Sequence, residues 1–168
     1  YYFVASGLGT PAYEPSFEPV INERPSQIIN YNNSYKLIEE ELVNLVSSGR
    51  NWYGRQFTSS NPEQVYTFTI PDFNPNTLIT VRANAVAYNN ASSSSMELYA
   101  NSTSLGRTTF DRASSNEAKA TVANTDLFSS FYRSPSGTIS IRAKYLDSGN
   151  SSAVAWLDYI SLNVNTKL

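Results

Sequence analysis

The chain of 168 residues carries 12 Lys and Arg against 14 Asp and Glu, and a net charge of −2 offers no basic footprint for nucleic acid or an anionic membrane surface. It contains neither Cys nor His, which excludes a disulfide framework, a thiolate nucleophile, the common Cys/His zinc sites and the usual general base near neutral pH. Charged residues make up only 15% while aromatics reach 13%, a balance suited to half-buried strands joined by polar loops.

Taken in order, Tyr1–Ala5 has the pattern of a short strand already in progress, and the chain reads as a segment of a longer protein. Pro11, Pro15, Pro19 and Pro25 then remove backbone donors at short intervals, so residues 1–33 are expected to form an extended strap or linker from a preceding domain. The sandwich domain is expected over 34–168. At its start Ser34 can cap a helix, Leu37, Ile38, Leu42, Leu45 and Val46 fall near one helical face with Glu39–Glu41 outside it, and Gly49 can close the end. This spacing predicts a helix over 35–47; Asn44 and the β-branched Ile38, Val43 and Val46 favour the rival, extended reading.

After the turn-rich aromatic stretch 48–57 the period becomes two. Strands are expected over 65–70, 78–88, 96–100, 105–110, 118–123, 127–132, 138–145 and 153–164, with the segments at 96–100 and 105–110 forming a hairpin. Ile79, Val81, Ala83, Ala85 and Ala87 share one face of their strand, and these small side chains leave room for large partners such as Phe68 and Trp156. In the last strand Val154, Trp156, Ile160, Leu162 and Val164 alternate on one face, with Asp158 alone out of pattern. Several short strands separated by turn signals point to an all-β, mainly antiparallel fold, a jelly-roll-like β-sandwich with an N-terminal strap and one short helix.

Chemistry is sparse. Asp111 and Glu117 flank one loop, and Asp147 and Asp158 lie near the last two strands, but nothing in their spacing marks a glycosidase-like carboxylate pair. Asp158 stands on an apolar strand face beside Trp156, where a charge must be paired, coordinated or at the rim. An ion pair with Arg50, Arg55 or Arg142 is one reading, and a bound calcium ion held with loop acids and carbonyls is the other. Trp52, Tyr53, Tyr88 and Tyr99 offer flat faces for sugar rings; the plainer reading has Trp52 and Phe57 locking the helix onto the sandwich. No cofactor is expected. Asn-x-Ser/Thr triplets begin at Asn32, Asn90, Asn101 and Asn150, as chance gives in a chain rich in Asn and Ser.

Two motifs carry a family resemblance. The run from Leu42 to Phe57, with Ser48-Gly49-Arg50-Asn51-Trp52-Tyr53-Gly54 at its centre, and the strand Trp156-Leu157-Asp158-Tyr159-Ile160 resemble the segment that precedes the peptidase domain in gingipain-type, sortase-like cysteine peptidases of the type IX secretion system of Bacteroidetes. The opening Tyr1-Tyr2-Phe3-Val4 and the closing Thr166-Lys167-Leu168 fit as well, so the resemblance spans nearly the whole chain. It implies an exported parent at the outer membrane or cell surface that removes C-terminal signals from cargo and joins the cargo to lipopolysaccharide. The chemistry of that family uses a Cys and a His, so no catalytic residue carries over to this chain. The resemblance implies a non-catalytic scaffold or interaction domain, with Arg50, Trp52, Tyr53, Phe57, Trp156 and Asp158 as its structural or contact residues. Implied partners are the downstream peptidase domain, outer-membrane secretion components, cargo C-terminal domains or lipopolysaccharide. A carbohydrate-binding module of a secreted or surface enzyme is the competing class.

Overall fold

A computed structural model describes residues 30–45, 51–113 and 123–168, apart from the side chains of 123–128. Nine strands follow in order: β1 Tyr31–Glu39, β2 Gln56–Phe57, β3 Glu63–Thr69, β4 Leu78–Tyr88, β5 Ser94–Ala100, β6 Thr103–Phe110, β7 Ala123–Arg133, β8 Thr138–Leu146 and β9 Val154–Lys167. They form two antiparallel sheets, one ordered β1-β9-β4-β7 with β2 also paired to β9, the other ordered β3-β8-β5-β6. The architecture is a β-sandwich. Of the strap expected over 1–33, residues 1–29 lie outside the described residues and Tyr31–Asn33 belong to β1; residues 118–122 of the strand expected over 118–123, and Arg50, also lie outside them.

The expected helix over 35–47 is not formed in its described part, residues 35–45. Its first part is strand β1, each of whose nine residues pairs with β9, from Tyr31↔Lys167 to Glu39↔Tyr159. Among the described residues there is no helix of any kind, and so none long and apolar enough to cross a membrane. The physical reason is that β9 offers a ladder to every residue from Tyr31 to Glu39, whereas a helix of this length gains little from propensity alone. As a strand, the segment turns Ile38 toward the core and leaves Leu37 46% exposed; a helix would have placed both on one face.

The core lies between the sheets. From β4 it takes Ile79, Val81, Ala83, Ala85 and Ala87, and from the opposite sheet Tyr66, Phe68, Met96, Leu98, Ile139, Ile141, Ala143 and Tyr145. Phe57 of the short strand β2 enters the same core and is fully buried. Gln64 and Tyr66 show how polar atoms are kept paired there: the Tyr66 hydroxyl donates to Gln64 Oε1 at 2.6 Å, and Gln64 Nε2 donates to the Gln56 carbonyl at 3.0 Å. Burial pushes the Tyr66 phenol up to about 12.

The defect at Asp158 in the sequence pattern is a register shift. Asn84 pairs with Tyr159 and Ala85 with Leu157, so Asp158 is an extra residue in β9, a β-bulge. On its far side Ile160, Leu162 and Val164 face the core as expected, but on its near side the inward residues are Ala155 and Leu157. Trp156 therefore does not fill the space opposite the alanines of β4. It packs on the outer face of the sheet with Tyr53 and Val86.

Candidate functional site

The region around the bulge is assembled by the segment that follows β1. Beyond Glu39 the chain turns away, and Val43 and Tyr53 form an isolated antiparallel bridge, with Tyr53 N–H donating to Val43 O at 2.8 Å and Val43 N–H to Tyr53 O at 2.9 Å. Gly54 N–H then donates to the Leu157 carbonyl at 2.7 Å, and β2 pairs with Trp156 and Ala155. A Cβ at Gly54 would lie 3.2 Å from that carbonyl and from the Glu40 side chain, so the close approach favours glycine. Glu40 and Arg55 hold the two arms together through an ion pair at 2.6 Å, and Arg55 keeps the Glu40 carboxyl below its ordinary range.

These contacts frame a polar recess of about 290 Å³ lined by Glu39, Glu41, Asn51, Trp52, Tyr53, Asn84 and Asp158. Trp52 is 42% exposed there, while Tyr53 is buried against Val86 and Trp156. Asn84 Nδ2 donates to Asp158 Oδ2 at 3.1 Å, whereas Asn84 Oδ1 is buried with no hydrogen-bond partner. Burial raises the Asp158 carboxyl above the usual carboxylate range and the nearby charge of Glu39 adds to this, partly offset by the Asn84 amide. The Tyr53 phenol is likewise raised, first by burial and then by the charge of Asp158.

Asp158 thus lacks the ion pair expected for it with Arg55 or Arg142. Arg55 is held by Glu40, and Arg142 by Glu63 at 3.3 Å in the other sheet. The bulge explains how the carboxylate is tolerated, because the extra residue sits on the outer side of the sheet, half-buried rather than in the core. Among the described residues no three His, Cys, Asp or Glu converge closely enough to hold a metal ion. Nor does any described hydroxyl or amine hydrogen-bond to Asp158, so no nucleophile and base are coupled there. The recess is acidic and amide-lined, with one partly exposed indole among its lining side chains.

The structure brings Trp52, Tyr53 and Asp158 to this recess and places Trp156 behind it, while Phe57 belongs to the main core. The four-membered aromatic platform is not assembled. Tyr88 lines a separate recess of about 400 Å³ with Trp156, Val154 and Leu45, and Tyr99 lies on the outer face of the other sheet beneath Arg142, 4.3 Å from its ring centre. Asp147 is engaged in its own turn, accepting hydrogen bonds from Ser59 and from Gly149 N–H. Glu39, Glu41, Asn51 and Asn84 went unnoticed as site residues. The acidic run Glu39–Glu41 was the visible signal for two of them; Asn84 carried none.

No protein-family model matches the chain, and no curated protein matches it in sequence. Among solved structures it is similar to dimeric latent PorU from Porphyromonas gingivalis, with a TM-score of 0.70 at 20% sequence identity over 85% of this chain. The chain has the fold of a segment of PorU. It spans 13% of the length of PorU, so the likeness concerns one portion of a much larger protein. It is also similar to two CBM36 carbohydrate-binding modules at 13% identity. One is the CBM36-1 domain of a multidomain xylanase from the hindgut metagenome of Trinervitermes trinervoides, with a TM-score of 0.47 over 78% of this chain and 96% of that one. The other, in complex with calcium and xylotriose, has a TM-score of 0.46 over 79% and 98%.

Proposed function

We propose that this chain is a non-catalytic interaction domain of a gingipain-like cysteine peptidase of the PorU kind, acting in type IX secretion. The observation that carries the reading is the fold shared with PorU across 85% of the chain, in a sequence with no Cys or His. A peptidase of that class needs a Cys activated by a His, so in such a parent the chemistry belongs to another domain and this one serves by contact. The parent would be exported and held at the outer membrane or cell surface. Its peptidase domain is the first partner proposed, followed by secretion components, cargo C-terminal domains and lipopolysaccharide.

The coding sequence downstream of Leu168 tests this reading. A peptidase domain carrying Cys and His is expected there; a glycoside hydrolase would overturn the proposal. One observation favours a second reading, a carbohydrate-binding module: the exposed Trp52 lines the same recess as amides and carboxylates, the groups that hold sugar hydroxyls. A glycan and lipopolysaccharide array probed with the chain and with Trp52→Ala separates the two. Binding lost in the variant supports the module, and the absence of binding in both counts against it.

A further inference from the structure

The two outer faces of the sandwich differ in kind. On the β3-β8-β5-β6 sheet every basic side chain of the central ladder has an acidic partner: Lys144 and Arg142 reach Glu63 at 3.2 and 3.3 Å, and Arg107 pairs with Glu97, which also accepts from the Tyr99 hydroxyl. Such a face satisfies its own charges and is at ease in water. The β1-β9-β4-β7 sheet presents something else. Tyr35, Leu37, Leu78 and Phe131 are 62%, 46%, 51% and 64% exposed, and cross-strand pairing puts Tyr35 beside Asn163, Asn163 beside Thr80 and Thr80 beside Phe131.

In the middle of this face lies Arg82, exposed and with no carboxylate partner among the described residues. Together with Tyr35, Thr80, Ser161 and Asn163 it lines a recess of about 140 Å³. A guanidinium offers a fork of donors shaped for a carboxylate, and three hydroxyls and an amide supply further donors around it. Apolar side chains surrounding one such polar anchor are the usual anatomy of a protein-binding patch, in which excluding water strengthens the central pair.

We propose that this face docks a protein surface that inserts an Asp or Glu carboxylate onto Arg82 while its apolar neighbours cover Tyr35, Leu37, Leu78 and Phe131. The proposal deepens the reading of the chain as an interaction domain, naming the surface and the chemistry of its partner. Charge complementarity selects this occupant. A basic surface, or an apolar one without acceptors, would bury the guanidinium unpaired, and a neutral acceptor would leave its charge uncompensated, each less favourable than a carboxylate.

The test uses the 15N-labelled full chain and two capped pentapeptides, Leu-Val-Asp-Val-Leu and its Asn counterpart, followed by NMR. The acidic peptide is expected to shift the signals of Thr80, Arg82, Ser161 and Asn163 saturably, and the Asn peptide to bind at least about fivefold more weakly. Arg82→Gln should abolish that preference, and Phe131→Ser, at a position 64% exposed, should weaken both peptides. Equal affinity for the two peptides, shifts confined to other residues, or no shift at several millimolar would each overturn the proposal. So would a dimer by light scattering whose dilution moves the same signals, since the face would then be taken by a second copy. None of these results bears on the parent protein, which the downstream coding sequence decides independently.

Discussion

Deleting Asp158 separates two accounts of strand β9. If β9 were an unbroken strand with Val154, Trp156, Ile160, Leu162 and Val164 on one face, removing one residue would turn Ile160, Leu162 and Val164 out of the core. All three are at most 1% exposed, and exposing them costs about 2 kcal/mol each, about 6 kcal/mol together, enough to unfold many domains. With the bulge the outcome reverses. Leu157 would directly precede Tyr159, the pairs Ala85↔Leu157 and Asn84↔Tyr159 would become consecutive, and every inward residue would keep its face. The remaining cost is the lost hydrogen bond from Asn84 and the adjustment of β2 and Gly54, which are attached at Ala155 to Leu157, about 1–2 kcal/mol. Urea unfolding read by the fluorescence of Trp156, in a Trp52→Phe background, measures the difference. A loss above about 4 kcal/mol, or a Trp156 emission moved to that of a solvated indole, would refute the bulge.

Phe57→Ala should cost about 3–5 kcal/mol, because a fully buried ring anchors β2 to the main core; a loss under 1 kcal/mol by urea titration would mean that the ring is not packed there. Gly137→Ala should destabilise by about 1–3 kcal/mol, since the new Cβ would sit 2.4 Å from the Ile70 carbonyl and 2.9 Å from Phe73 Cβ; thermal unfolding at least as high as that of the parent chain would contradict this. The raised Asp158 carboxyl makes its ionised form unfavourable in the folded state. Asp158→Asn is therefore expected to be the more stable chain at pH 7. The advantage should shrink as pH falls through the folded pKa of Asp158 and vanish below its unfolded value of about 3.9, where the parent is protonated too. A difference that stays constant from pH 3 to 7, or has the opposite sign, would rule that out.

The sandwich was legible because alternation survives wherever a strand has one wet and one dry face. Leu78–Tyr88 is a strand with the inward set that its sequence spells, Ile79, Val81, Ala83, Ala85 and Ala87. Two elements were not legible in that way. The segment Tyr31–Glu39 has a composition open to helix or strand, and its state is decided by the ladder that β9 offers some 130 positions later in the chain. Strand β9 carries a phase change that periodicity registers only as one misplaced acid. Asp158 marked the position correctly, but a single regular phase then put Trp156 on the wrong side of the sheet. The recess itself was half visible. Trp52, Tyr53 and Asp158 drew notice as aromatic or oddly placed residues, whereas Asn84 is recruited across the sheet from β4 and looks in sequence like any polar outward residue.

The arrangement gives the proposed docking role a physical form. One sheet satisfies its own charges, and among the described residues the other leaves Arg82 without a carboxylate partner and Tyr35, Leu37, Leu78 and Phe131 exposed. The acidic recess at Asp158 adds a second polar feature beside the end of β1. The most direct test mixes the purified chain with the purified polypeptide encoded immediately downstream and follows the mixture by titration calorimetry and thermal unfolding. The account predicts a saturable 1:1 complex and a rise in the melting temperature of the downstream domain of roughly 5 °C at saturation, diminished by Arg82→Gln. No heat and no shift, with glycan binding that depends on Trp52 in their place, would contradict it.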